Sequence, residues 1–175
     1  MKLKESVQIG NMELRNRVVM PPMATGKARN GEPGEDLVEY YRARAKGIAL
    51  IIVEHEYIMP QGIAHNGQLS MADDSVIPAY KKLADAVHGE GAKIIAQINH
   101  AGAKASGSGM TAVGPSAVAF QDGTIPEELT QDQIKEIIRA FADAAVRVKK
   151  AGFDGVEVHA AHGYLLNQFY SPLMN

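Results

Sequence analysis

The sequence predicts an α/β protein of the (β/α)8 barrel type, here about the first four βα units preceded by an N-terminal β-hairpin. Three observations carry that reading. A helical stretch ends in a small-residue turn that feeds a strand at Lys46-Gly47-Ile48, again at Glu90-Gly91-Ala92, and again at Ala151-Gly152-Phe153. Strand candidates such as Ile48–Val53 are unbroken aliphatic runs, as a sheet covered on both faces requires. Repeated βα units demand parallel strands with right-handed crossovers, hence a doubly wound sheet or a barrel. A dinucleotide-binding doubly wound fold places G-x-G-x-x-G after its first strand, whereas that strand here ends in Met20-Pro21-Pro22-Met23, which favours the TIM-barrel type.

The elements follow in order. Ser6–Ile9 and Met12–Leu14 alternate around Gly10-Asn11 and read as a hairpin that plugs the barrel bottom. Arg17–Met20 is a short strand stopped by Pro21-Pro22, and a Gly-, Asn- and Pro-rich loop leads to a helix over Asp36–Lys46 with Leu37, Tyr40, Tyr41 and Ala45 on one side. Ile48–Val53 is the next strand. Asp74-Ser75 offers an N-cap for a helix to His88, with Val76, Tyr80, Leu83, Ala84 and Val87 in one stripe. Lys93–Ile98 is the third strand, followed by a small-residue stretch from Asn99 to Glu128 whose glycines read as a mobile loop, long enough to suggest function. Thr130 and Gln133 form a capping box for a helix carrying Ile134, Ile137, Ile138, Phe141, Ala145 and Val148 at helical spacing, ended by Lys149-Lys150 and Gly152. Asp154–Val158 is the fourth strand.

Four strands are half of eight, so residues 1–175 are expected to be the N-terminal half of a barrel. A lone half would leave two unpaired parallel edges. Two copies covering each other's edges, a homo-oligomer, is one expected remedy. The 18 Lys plus Arg against 20 Asp plus Glu give a net charge of −2, which provides no basic field for nucleic acid or anionic lipid. There is no cysteine, so disulfides, thiolate zinc sites and iron–sulfur ligands are excluded within the chain, and redox chemistry would need a bound cofactor. No apolar run approaches the ~20 residues of a membrane span, and a cytoplasmic setting is expected.

In a barrel the chemistry sits at the C-terminal ends of the strands. Those positions are Pro22–Thr25, Glu54–Glu56, Gln97–His100 and His159–Tyr164, and four of the six histidines (His55, His100, His159, His162) fall there. The segments Asn16–Ala24, Leu50–Glu54, Pro60–Gly62, Gln97–Gly102, Ala112–Ala117 and Glu157–Leu165 together resemble the old yellow enzyme family of FMN-dependent ene reductases, in order and over nearly the whole chain.

The resemblance implies FMN across the barrel mouth, reduced by NADH or NADPH and reoxidised by a small electron-poor alkene such as an enone or enal. It implies that Pro22, Met23 and Ala24 line the flavin through backbone, with Glu54 and His55 beside them and Gln97 on the ring edge. It implies that His159 and His162 hold the substrate carbonyl oxygen and that Tyr164 donates a proton. Ala24 stands where many family members carry Thr or Cys, and the family's phosphate-binding loops lie beyond residue 175. Two other classes remain open at this stage. Glu54, His100, His159 and His162 could serve a metal-dependent barrel hydrolase, and the chain could be a non-catalytic remnant of a flavoprotein.

Overall fold

A computed structural model describes residues 2–120 and 123–175. The chain opens with a hairpin of β1 (Val7–Ile9) and β2 (Met12–Leu14), antiparallel with Ile9 opposite Met12. Then follow β3 (Val19–Met20), α1 (Glu35–Ala45), β4 (Leu50–Tyr57), β5 (Leu69–Ser70), α2 (Ile77–Gly89) and β6 (Lys93–Asn99). The remainder holds β7 (Val113–Gly114), β8 (Glu127–Glu128), α3 (Gln131–Lys150), β9 (Gly155–Val158) and α4 (Leu165–Tyr170). The main sheet runs β3-β4-β6-β9, all parallel, with the helices on its outer face. This is a partial barrel.

Alternation along the strands builds two layers. Ile51, Val53, Ile94, Ala96 and Ile98 point outward into one core with Leu37 and Tyr41 of α1, Tyr80, Leu83 and Val87 of α2, and Ile137 and Val148 of α3. Each such large side chain contributes about 1.5–3 kcal/mol on burial. The inward residues Leu50, Ile52 and Ile95 pack on Leu14 and Met12 of the hairpin, which closes the bottom as a plug. At the same end Arg15 donates to the carbonyls of Ala45 (2.7 Å), Ile48 (2.8 Å) and Glu90 (2.9 Å), satisfying chain just past the C-termini of α1 and α2.

Several elements depart from expectation. The second strand of the sheet extends through Glu54, His55, Glu56 and Tyr57 rather than stopping at Val53, with its register against β6 shifting between Val53 and Glu56. Pro21-Pro22 ends β3 early, and the edge of β4 freed beyond it is taken up by β5 at Glu56 and Tyr57. The helix expected from Asp74 begins with a 3-10 turn capped by Asp73, whose carboxylate accepts from the Ser75 N–H at 2.8 Å. The Thr130–Gln133 capping box forms in full. Ile138, placed by spacing on the buried stripe of α3, is 62% exposed.

The 99–128 stretch is not a free loop. The Ala101 N–H donates to Gly62, those of Ser106 and Gly107 to Ile63, and Val113–Gly114 pairs with Glu127–Glu128. Gln121 and Asp122, which fall in it, lie outside the described residues. Among the described residues no helix is long and apolar enough to cross a membrane.

Candidate active site

The inward face changes character from bottom to top. Ile95 on β6 is followed at period two by Gln97 and Asn99, and Gly155 on β9 by Glu157 and then His159. The bulged end of β4 adds His55. Polar side chains therefore crowd the C-terminal rim while the base is aliphatic.

The segment after β3 carries Pro22, Met23 and Ala24, with Met23 59% exposed. Glu54 fixes it. Its carboxylate accepts from the Thr25 N–H and the Thr25 hydroxyl, both at 2.7 Å, and from the Tyr41 hydroxyl at 3.2 Å. Glu54 is buried, and its oxygens are occupied within the protein, so it acts on the rim through the Pro22–Thr25 backbone.

His55 is held in one tautomer. The amide nitrogens of Gln68 (2.9 Å) and Asn99 (3.3 Å) both address its Nδ1, which leaves the proton on Nε2. Burial, followed by the neighbouring His65, His159 and His162, pulls its pKa down to about 4. The Asn99 amide oxygen and His65 Nε2 are buried beside it without a partner among the described residues. Gln97 donates to Glu157 at 2.6 Å across the β6–β9 pair, and its own amide oxygen has no hydrogen bond among the described residues.

His159, His162 and Tyr164 converge. The His159 ring lies 5.1 Å from that of His162 and 5.0 Å from that of Tyr164, edge to face in both cases, and the Tyr164 ring lies 5.3 Å from His55. His159 Nδ1 accepts from the Ala161 N–H at 3.3 Å, so its Nε2–H is free to donate. Burial lowers the pKa of His159 and raises that of Tyr164, keeping the first neutral and the second a phenol at neutral pH. His162 sits in the left-handed backbone region at φ 56°, a strained position for a non-glycine residue.

That turn is clamped from below. Gln168 accepts from the Ala103 N–H (3.0 Å) and donates to the carbonyls of Gly163 (2.7 Å) and Ala101 (3.2 Å). Asn167 accepts from the Gly163 N–H at 2.8 Å, and Lys104 donates to the His162 carbonyl at 2.7 Å. Gly102 has φ 61°, and a Cβ there would run into the Gln168 amide oxygen. The strand-end positions include Thr25 and Asn99 without giving either a role, and spacing places Tyr41 only on the buried side of its helix. Gln68, Lys104, Asn167 and Gln168 carry no sequence signal.

His100 does not join the cluster. Its Nδ1 accepts from the Gly102 N–H at 3.1 Å, and its ring is packed so tightly under Gly62 that a Cβ there would come within 2.6 Å. Burial holds its pKa near 4. Among the described residues no three His, Asp or Glu side chains are grouped to hold a metal ion, so the donor set of the hydrolase alternative is not assembled. A cleft of about 660 Å³ lies at the opposite end, lined by Arg15, Lys93, Asp154 and the hairpin.

The profile of the NADH:flavin oxidoreductase / NADH oxidase family matches residues 2–175. The chain is 49% identical to an NADH oxidase of Thermoanaerobacter brockii, over 96% of its own length and 27% of that protein. It is 44% identical to an NADPH dehydrogenase of Clostridium acetobutylicum, over 100% of its own length and 52% of the relative. Old Yellow Enzyme from Pichia sp. AKU4542 superposes with a TM-score of 0.93 at 30% identity, over 99% of this chain and 50% of that one. The chain thus spans between about a quarter and about half of the length of the curated relatives it matches. It belongs to the NADH:flavin oxidoreductase / NADH oxidase family.

Proposed function

We propose that this chain is the N-terminal, substrate-presenting half of an FMN-dependent oxidoreductase that transfers hydride from NADH or NADPH to the C=C bond of an activated alkene. The observation that carries the reading is the convergence of His159, His162 and Tyr164 at the inner rim, with His55 behind them. The residues fit a flat, polar-edged group. The Asn99 and Gln97 amide oxygens, neither hydrogen-bonded among the described residues, lie at the C-terminal end of β6, with the exposed Met23-Ala24 segment after β3.

FMN bound there would supply the hydride chemistry, accepting hydride from the nicotinamide and passing it to the alkene β-carbon. The protein's part is placement. Backbone of Pro22, Met23 and Ala24, steadied by Glu54, would border the ring system, with Gln97 on its edge and His55 beside it. The Nε2–H of His159, with His162, would donate to the substrate carbonyl oxygen, where negative charge grows as hydride arrives. One preorganised donor of this kind is worth about 2.7–4 kcal/mol. Tyr164 would give its hydroxyl proton to the α-carbon and recover it from water, a contribution on the order of 10²–10⁴-fold.

The same reading accounts for the open flank. Val158 and Ile138 are exposed, and a groove with a wholly apolar lining runs between α3 and α4, where a following βα unit would pack in a closed barrel. A second copy covering this flank is the other arrangement, and light scattering separates the two. The test of function is Tyr164→Phe examined by half-reaction. Alkene reduction should slow by about 10²-fold or more while flavin reduction by the nicotinamide holds. Equal losses in both would remove Tyr164 as the donor.

A further inference from the structure

We infer that the cleft beside Tyr164 is a subsite for a carboxylate carried by the alkene substrate at a distance from its activating carbonyl, with Lys104 as the group that binds it. This deepens the functional reading above and rests on it. The cleft measures about 290 Å³, and Ala64, Ala103, Lys104, Ser106, Phe120 and Tyr164 are among its walls. None of the described residues that line it is acidic. The volume is near the lower end for a small-molecule pocket and suits a short planar extension of a substrate.

Lys104 differs from a free surface lysine in how it is held. Its backbone lies in a 3-10 turn, Gly102–Lys104, which Gln168 pins through the Ala103 N–H. Its Nζ donates to the His162 carbonyl at 2.7 Å and lies 5.5 Å from the centre of the Phe120 ring and 5.6 Å from that of Tyr164. An ammonium has three protons to donate, so two remain for a ligand. Among the described residues no carboxylate pairs with Lys104, as with several other lysines, and what distinguishes it is the 3-10 turn and the two aromatic faces that hold it beside Tyr164.

The other polar groups sharpen the ligand class. The Ser106 hydroxyl already donates to the Ala64 carbonyl at 2.7 Å, which leaves Lys104 as the cleft's cation. A single ammonium between two aromatic faces matches a singly charged carboxylate on an apolar stem. A phosphate dianion calls for a larger set of donors. Because Tyr164 both lines this cleft and stands beside His159, the carboxylate would sit about one ring beyond the reacting carbons.

The experiment uses the FMN-loaded protein and a matched pair of phenols, 3-(4-hydroxyphenyl)propionate and its methyl ester, titrated by calorimetry. The phenol oxygen addresses the histidine pair in both. The wild type should bind the acid at least tenfold more tightly than the ester, a difference of about 1.4 kcal/mol. Lys104→Gln should bring that ratio to near one, and because Lys104 also donates to the His162 carbonyl the readout is the ratio and not the ester affinity. His159→Ala should weaken both ligands together, and flavin retention is read from absorbance in every variant. An acid-to-ester ratio near one in the wild type overturns the subsite, as does an equal loss of both ligands in Lys104→Gln. If Lys104→Gln instead changes only the preference for NADPH over NADH, the lysine serves the nucleotide phosphate and the carboxylate assignment fails. Loss of binding of both phenols and of flavin in the wild type would sink the underlying functional reading as well.

Discussion

Gln168→Leu isolates the clamp beneath the catalytic turn, because the two side chains have similar volumes and only the amide is lost. Gln168 is 1% exposed and joins three backbone groups on two loops that are about 60 residues apart in sequence. Removing the amide leaves the Ala103 N–H inside the protein without a partner, since Ala103 is nearly fully buried, whereas the Ala101 carbonyl keeps the Lys104 N–H at 3.2 Å. A buried orphan of this kind costs about 1–3 kcal/mol. The Gly163 carbonyl is partly exposed and can turn to water, so it adds little. The expected destabilisation is therefore about 1–3 kcal/mol, or roughly 2–12 °C in Tm for a domain of this size. Urea unfolding followed by far-ultraviolet circular dichroism measures it, with exposed Gln131→Leu as a control for the substitution itself. A loss below about 0.5 kcal/mol would refute the reasoning, because it would mean that the three bonds do not hold these loops together.

Two further predictions concern the histidines. Burial depresses His55 and His100 to about 4 from the ordinary value near 6.5, so the unfolded chain binds more protons between those values. Their contribution to stability should be complete above about pH 6.5 and fall away as the pH drops toward 4. Urea midpoints that stay level from pH 7.5 to 5 would contradict this, and His55→Gln should flatten the slope. His159→Ala and His162→Ala should each weaken phenol ligands while flavin stays bound, read by absorbance titration. Unchanged affinity in both variants would reject the donor pair.

Much of the fold was legible because it rests on local signals. The Gly10-Asn11 hairpin, the Thr130–Gln133 box and the aliphatic runs of β4 and β6 are written within a few residues of where they act. The extension of β4 was not, because Glu54-His55-Glu56 is a polar run that reads as loop until the partners of each residue are known. Glu54 is satisfied by Thr25 and Tyr41, and His55 by Gln68 and Asn99. Both cases depend on tertiary contacts. Ile138 has the spacing of a core residue and lies exposed on the open flank, where periodicity alone could not tell which neighbours the sheet supplies.

The candidate site divides the same way. Strand ends named its principal residues, since a parallel α/β sheet directs them to one rim. The groups that hold them in place came from elsewhere. Gln168, Asn167 and Lys104 carry no motif, and Lys104 through one bond and Gln168 through two reach backbone 58 to 67 residues away. Gln68, Thr25 and Tyr41 work from loops or from the outer helix layer. Position was readable, and preorganisation was not.

The central claim is that the rim built by Pro22–Thr25, His55, Gln97 and His159 is one wall of a flavin site. The most direct measurement is a visible absorption titration of the 175-residue chain with FMN. The account predicts a saturable shift in the flavin bands that weakens in Glu54→Gln, where the Thr25 anchor is altered. A spectrum identical to that of free FMN at every concentration, also after the downstream half of a relative's barrel is added, would contradict it.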